Sequence, residues 1–161
     1  DSELIAQRLG EVGNVVCAAP GYLQQHGVPQ RPRELQQHRC LRLADPVFAD
    51  EWRFIADGAE DVIRPGEAFK VNVAEAMASA AEAGMGICLL PDYVAAPALQ
   101  RGALLRLLPR YRLQEKQIHA LYPSRRFLDA KIKTWVDFLA LELPRAFAGY
   151  HRILQDPAHW A

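Results

Sequence analysis

A short apolar strand pattern stands between two helix patterns in the second half of the chain, and this alternation constrains the fold most strongly. The run GICLL at residues 86–90 has no polar side chain, which is typical of a strand buried on both faces of a parallel sheet. Helix patterns at 73–83 and 93–101 flank it, and another strand pattern follows at 104–107. Because parallel strands need crossover helices, the sequence predicts an α/β fold with a mixed sheet.

The first two thirds of the chain supply further strands of this sheet and a hairpin. Asp57 and Gly58 form the strongest turn signal, between predicted strands at 51–55 and 61–64. Short helices begin near Pro20 and Pro32, because proline favours the first turn of a helix. The remaining predicted strands are 14–18, 40–43, 68–71 and 118–122, and the short helices are 21–26 and 33–38.

The last strong helix pattern covers residues 129–143 and has one apolar face. Pro144 is expected to end this helix, and the tail to Ala161 is expected to add one or two helical turns. An apolar face of this size is not expected to stay exposed, so another copy of the chain, the displaced tail or a rearranged packing should cover it. The alternative is that this segment is stable only inside a full-length protein. The face consists of Leu128, Ile132, Trp135, Val136, Leu139 and Leu143.

The helix at 73–83 has clear signals at both ends. Asn72 is the predicted N-cap, because Glu75 stands three residues later, as in a capping box. Gly84 is expected to end the helix with a positive φ, and Gly86 to be a position of close packing. These glycines follow a helix and precede a strand, which is the reverse of a dinucleotide-binding loop, so no nucleotide site is predicted.

Charge and cysteine content narrow the function classes. Lys plus Arg and Asp plus Glu are both 19, so the formal net charge is zero, whereas a domain that grips DNA normally carries a basic excess. No apolar run is long enough for a membrane span, and no export signal is visible. Cys17, Cys40 and Cys88 lack a C-x-x-C pair and are expected to be buried free thiols in a reducing cytoplasm. No catalytic motif, metal-ligand spacing or cofactor loop is found.

Several polar residues have both a structural and a ligand-binding interpretation. Asn72 is the strongest candidate for a ligand contact, because ligands of open α/β sheets collect beyond the carboxyl ends of strands; capping alone is the alternative. The loop at 45–48 either forms a pocket wall or is a plain surface loop. The basic cluster at 124–126 either is a solvated loop, contacts an anion or a carboxylate, or forms an interface pair. Arg110 and Arg112 belong to a second basic loop that is expected to be solvated.

The ordered set of segments resembles the effector-binding domain of LysR-type transcriptional regulators. The run DSELIAQRLGEVGNVVCAAPGYLQQHGVPQRPRELQQHRCL is similar to the family's passage from its first lobe into its second. The run NVAEAMASAAEAGMGICLLPDYVAAPALQRGALLRLLP resembles its helix and "GlGia.lP" segment, and IHALYPSRRFLDAKIKTWVDFL resembles its closing strand and helix. Together they extend from Asp1 to about Leu143.

The resemblance implies a mixed-sheet, Rossmann-like lobe of the periplasmic-binding-protein-like type 2 architecture, with an incomplete first lobe. On this basis residues 1–14 are a crossover segment, 15–105 the second lobe, 106–143 a partial return to the first lobe, and 144–161 a C-terminal tail. It further implies a bacterial, cytoplasmic, oligomeric regulator without enzymatic activity. Such a regulator binds a small polar or anionic effector between its lobes and contacts DNA only through an N-terminal helix-turn-helix that this sequence lacks.

Two functions remain open beside transcriptional regulation: a solute-binding module of a transport system, and an enzyme on the same fold. A transport module is disfavoured by three free cysteines, which suit an oxidising compartment poorly, and an enzyme is disfavoured by the lack of a visible nucleophile or acid–base set.

The resemblance also implies which residues face the effector. The pair Ala18-Ala19 departs from the family's frequent Ala-Ser, which removes a hydroxyl group. The implied effector-facing residues are Ala18, Ala19 and Pro20; Asp45, Pro46 and Phe48; and Val71, Asn72 and Val73.

Overall fold

Paired strands alternate with helices throughout residues 4–44, 51–123 and 129–161, the ranges described by the structure, which is a computed structural model. The strands are β1 (Leu4–Val12), β2 (Asn14–Ala18), β3 (Cys40–Leu43), β4 (Trp52–Ala56), β5 (Ala59–Ile63), β6 (Glu67–Val71), β7 (Ile87–Pro91), β8 (Leu105–Leu107), β9 (Arg112–Leu113) and β10 (Lys116–Pro123). The α-helices are α1 (Pro20–His26), α2 (Ala74–Glu82), α3 (Asp92–Gln100) and α4 (Ala130–Gln155), and short 3₁₀ helices form at Pro32–Gln37 and Pro157–His159.

A mixed sheet lies at the centre of the fold, with the strand order β6-β3-β7-β2-β8. β3 runs parallel to β6 and β7, whereas β2 runs antiparallel to both β7 and β8. Both faces of β2 and β7 are almost completely buried, as the uninterrupted apolar run at residues 86–90 predicts for β7. The predicted α/β class with a mixed sheet is therefore confirmed.

Alternation along β2 divides the core between the two faces of the sheet. Cys17 points into a cluster that α2, α3 and the end of α4 cover, with Met77 and Leu99 among its buried members. Val16 points into the opposite cluster, which α1 and the small sheet β5-β4-β9 cover. The period of two along a strand is what allows one apolar run to fill both layers.

The β4–β5 hairpin turns on the predicted dipeptide. Ala56 pairs with Ala59, and the residues between them, Asp57 and Gly58, have φ angles of 52° and 78°. Two positive φ angles are what a type I′ turn requires, and its twist suits the flanking strands. The hairpin prediction is confirmed, although both strands are displaced by one or two residues.

A two-stranded antiparallel ribbon of β1 and β10 enters and leaves the central lobe. Leu4 pairs with Pro123 at one end of the ribbon, and Val12 with Lys116 at the other. α4 packs along β1 so closely that a Cβ on Gly10 would lie 2.8 Å from the Phe147 ring. The ribbon therefore fixes the position of α4 relative to the sheet.

Pro144 does not end the last helix, and that prediction is wrong. α4 continues through it to Gln155, although proline inside a helix costs about 3 kcal/mol. The half of α4 beyond Pro144 places Leu154 in the core, with Tyr150 and Ile153 packed against the same cluster. This tertiary packing outweighs the local penalty, because packing supplies most helix stability in proteins.

The apolar face predicted for this helix is only partly covered. Val136 is buried, but Trp135 is 59% exposed and stacks on the exposed Phe138 with ring centroids 5.6 Å apart. Leu128 lies outside the described residues. The end of the tail does not cover this face of α4, because Trp160 lies beside Arg106 of β8.

The three cysteines are buried and free, as predicted. Cys17 and Cys88 lie opposite each other on β2 and β7 with their Sγ atoms 3.6 Å apart. Burial raises the pKa of the Cys40 thiol to about 12, and it raises the pKa of Cys88 as well. The thiols of Cys40 and Cys88 are therefore neutral at physiological pH and poor nucleophiles.

Within the three described ranges, no helix has the length and apolar character needed to span a membrane.

Candidate ligand site at the strand ends

The carboxyl ends of three parallel strands form one edge of the central sheet, here called the carboxyl edge. Leu43 of β3 pairs with Val71 of β6, and Pro91 of β7 lies opposite Asn14 of β2. α2 and α3 both begin directly after these strand ends. Ligands of open α/β sheets bind outside such an edge, close to helix N-termini.

The structure brings one group of predicted site residues to the carboxyl edge. Val71 ends β6 there, and Asn72 and Val73 follow it with exposed side chains. The loop residues Asp45, Pro46 and Phe48 lie outside the described residues.

The second group of predicted site residues, Ala18, Ala19 and Pro20, lies at the opposite edge of the central sheet. β2 is antiparallel, so its first residue reaches the carboxyl edge, and Ala18 lies beside the start of β7. Ala18 and Ala19 are 0% and 5% exposed and belong to the core, and Pro20 starts α1. The two groups are therefore not brought together, because the direction of β2 separates them.

Asn72 is not the cap of α2, and this prediction is wrong. The N-cap is Val73, which has extended backbone angles and makes no side-chain capping bond. Because β6 keeps the chain extended as far as Val71, the helix starts one residue later than its capping-box pattern indicates. At the other end of the helix, Gly84 has the predicted positive φ, 78°.

We expect Asn72→Ala to change the free energy of unfolding by less than about 0.5 kcal/mol, since an exposed side chain that caps nothing contributes little. Loss of a working N-cap would cost about 1 kcal/mol. Urea denaturation of the variant and the parent chain measures the difference. A loss of 1 kcal/mol or more would mean that Asn72 caps the helix in solution.

A cavity of about 100 Å³, here called the edge cavity, opens between the carboxyl edge and the small sheet. It lies where β2, β3 and β4 approach the end of the ribbon. Its polar and aromatic lining consists of Asn14, Arg42, Glu51, Trp52, Arg53, Gln114 and Lys116.

Asn14 is the residue of the edge cavity that sequence patterns miss. Its Nδ2 donates to the carbonyl of Gln114 at 3.2 Å. Its Oδ1 is buried, and no donor to it is found in the described part of the chain. A buried acceptor left without a partner costs about 1–3 kcal/mol, so this oxygen favours a molecule that brings a donor. The only sequence signal is an amide side chain at the start of the otherwise apolar run NVVCA.

The charged lining of the edge cavity is predominantly cationic. Among the lining residues with described positions, three carry basic side chains and one, Glu51, carries a carboxylate. That carboxylate accepts hydrogen bonds from Arg64 Nε at 2.8 Å and from Arg53 Nη2 at 3.1 Å. Arg64 is the main reason why the pKa of Glu51 is lowered, with a smaller contribution from Arg53. A wall of this composition favours a ligand that carries negative charge.

Asp92, at the start of α3, is a buried carboxylate with a structural role. It accepts hydrogen bonds from the backbone N–H groups of Gly13, at 3.1 Å, and Tyr93, at 2.7 Å. Burial raises the pKa of Asp92, and these two hydrogen bonds partly oppose the shift. The Asp92 carboxylate thus joins the end of the ribbon to α3.

Among the residues with described positions, no three His, Cys, Asp or Glu side chains form a group able to hold a metal ion.

Comparison with curated proteins finds bacterial transcriptional regulators. An HTH-type transcriptional regulator of Haemophilus influenzae is 31% identical over 138 residues, covering 82% of this chain and 46% of the relative. The HTH-type transcriptional activator AaeR of Escherichia coli is 33% identical over 156 residues, covering 94% of this chain and 50% of the relative. The chain thus spans about half the length of these relatives.

Solved structures of regulators have the same fold. The full-length virulence activator AphB of Vibrio cholerae matches with a TM-score of 0.78 and 29% identity over 87% of this chain and 48% of its own. The regulatory domain of CrgA from Neisseria meningitidis matches with a TM-score of 0.76 and 29% identity over 89% of this chain and 70% of its own. The mixed sheet is thus a lobe of the periplasmic-binding-protein-like type 2 fold. The family model for the LysR substrate binding domain matches residues 1–144, and the chain belongs to this family of LysR-type regulators.

Proposed function

We propose that this chain is the effector-sensing regulatory domain of a LysR-type transcription factor, and that a small anionic metabolite binds at the carboxyl edge. The observation that carries the proposal is the buried Oδ1 of Asn14, which no described donor satisfies, beside a cationic wall. A hydroxycarboxylate has both the donor and the negative charge that such a site requires. The names of the relatives favour regulation over transport or catalysis.

The edge cavity holds only part of a metabolite, since ligand pockets usually measure about 300–1,000 Å³. We propose that the rest of the ligand extends toward the 45–48 loop and residues 71–73, which follow the neighbouring strand ends. The buried positions of Ala18 and Ala19 give no support to a contact from that segment.

The proposed division of the chain follows from the ribbon. Residues 1–14 and the return strand connect the second lobe, residues 15–105, to a partial first lobe at 106–143, and residues 144–161 form the tail. Effector binding would change the angle between lobes and the geometry of an oligomer in the cytoplasm, with DNA contacted by a separate helix-turn-helix. Such a change is a population shift, so the effector must bind one arrangement more tightly than the other.

Calorimetric titration of the 161-residue chain with a panel of small hydroxycarboxylates tests the proposal. We expect one or more of them to bind, and Asn14→Leu to weaken that binding at least tenfold, because the variant removes the acceptor at similar volume. Gln24→Ala, on the exposed surface of α1, is the control and should bind like the parent. Equal affinity of the Asn14 variant, or no binding by the parent, would contradict the proposed site.

A further inference from the structure

A second and larger cavity, of about 860 Å³, lies between β1, the β8–β9 segment, the start of α3 and the second half of α4. It is called here the arginine cavity, after the four arginines that line it. It meets the edge cavity only at Asn14 and Leu113. Its size is that of a site for a complete small molecule. The lining arginines are Arg8, Arg106, Arg112 and Arg152.

The carboxylates of this cavity are already engaged. Glu11 forms an ion pair with Arg8, and Glu115 lies 4.0 Å from Arg112. Asp92 accepts two backbone hydrogen bonds and is largely buried. Within the described part of the chain, none of these three carboxylates forms an ion pair with Arg106 or Arg152.

Arg106 is held in place by one hydrogen bond and one ring contact. Its Nη1 donates to the carbonyl of Leu154 at 2.7 Å, and its guanidinium lies 5.9 Å from the ring centroid of Trp160. Trp160 Nε1 donates to the same carbonyl at 3.0 Å, which fixes the ring against the arginine. Within the described ranges no carboxylate pairs with Arg106, and burial lowers its pKa. A half-buried cation without a counter-ion is costly, and a fixed guanidinium loses little entropy on binding an oxyanion.

Arg152 supplies a second cation from the last turns of α4. Its Nε donates to the carbonyl of Ala148 at 3.4 Å, within its own helix. The neighbouring His151 also lines the cavity and adds a further donor. Arg106 and Arg152 thus place two cationic groups in the lining of the cavity.

We infer that the arginine cavity binds a small oxyanion ligand, a dicarboxylate or a phosphate compound, through Arg106 and Arg152. Arg106 and Arg152 lie outside the edge cavity, although the two cavities share Asn14 and Leu113, and the inference does not depend on the proposed effector. Both ligand types present paired oxygens that match the fork of a guanidinium.

Titration with sodium succinate and with sodium phosphate, each at constant ionic strength in sodium chloride, tests the site. Binding is followed by calorimetry and by NMR of the arginine Nε–H groups. We expect saturable binding of at least one probe with a shift of the Arg106 signal, and the probe that binds identifies the ligand type. Absence of saturable binding of both probes would overturn the inference.

Variants separate this site from its surroundings. We expect Arg106→Gln and Arg152→Gln each to weaken binding at least tenfold. Arg152 is exposed, so its variant keeps the test valid if the loss of Arg106 disturbs the tail. Arg101→Gln, which removes a partner of Glu82 elsewhere, and Lys116→Gln, in the edge cavity alone, should bind like the parent. Unchanged affinity in both the Arg106 and the Arg152 variant would refute the site, even if the effector proposal held.

Discussion

Phe54→Ala is expected to lower the free energy of unfolding by about 3–5 kcal/mol, the usual cost of removing a buried phenylalanine. Phe54 is 1% exposed and meets Tyr111 edge to face, with ring centroids 6.1 Å apart. It anchors β4 in the cluster that contains Val16 and Leu35. Guanidinium denaturation followed by circular dichroism measures the loss.

The adjacent Ile55→Ala variant is the matched control for Phe54. Ile55 lies on the same strand but points outward and is 42% exposed, so we expect it to lose less than about 1 kcal/mol. Comparable losses in the two variants would show that the small sheet does not dock through Phe54. Because β4 also carries Trp52 and Arg53 into the edge cavity, loosening Phe54 should weaken ligand binding there as well.

Gly86→Ala is expected to cost about 3 kcal/mol, toward the upper end of the usual cost of overpacking. A Cβ at this position would lie 2.3 Å from the carbonyl oxygen of Arg39 and 3.0 Å from its carbon. The neighbouring Ile87 N–H donates to that same oxygen at 2.8 Å, so the approach of the two backbones is fixed by a hydrogen bond. The close packing predicted for Gly86 is thus confirmed, and only the backbone can relieve the clash.

Gly149→Ala provides the opposite expectation in the same experiment. Gly149 lies within α4, and a Cβ there would contact nothing within 4 Å. Alanine in a helix interior is more stable than glycine by about 0.5–1 kcal/mol, so this variant should gain stability. If Gly86→Ala were equally well tolerated, the clash with Arg39 would not exist in solution.

The elements that sequence patterns predict well are those with strong local signals. NVVCA forms β2 with the predicted limits, and CLRL forms β3 in the same way. The turn at Asp57 and Gly58 is predictable because the preference of this dipeptide for positive φ angles is local and does not depend on neighbouring elements. The apolar run around Cys88 is a strand because it is too short and too apolar for any other buried element.

The elements that the patterns miss depend on distant partners. β1 exposes many of its side chains, so its sequence has no clear alternation, and only pairing with β10 makes it a strand. β9 has two residues and exists because Leu113 pairs with Phe54. Pro144 remains in a helix because residues further along the chain reach the core.

The candidate site shows the same limit. No sequence motif surrounds Asn14. It becomes a candidate ligand contact only in the folded chain, where its Oδ1 is buried without a described donor. Ala18 is assigned to the ligand side by resemblance, but strand direction decides which end of β2 meets the carboxyl edge. A sequence pattern indicates that a strand exists and is silent about the direction in which it runs.

The contact between the tail and β8 has a consequence for solubility. β8 is one of the two edge strands of the central sheet, and an edge strand presents unpaired backbone groups that can recruit strands from other molecules. The N–H of Ala161 donates to the carbonyl of Arg106 at 3.0 Å, and Trp160 forms a parallel bridge with the same residue. Residues 160 and 161 thus occupy a position beside β8 at which intermolecular sheet growth could begin, and we expect them to hinder strand addition at this edge.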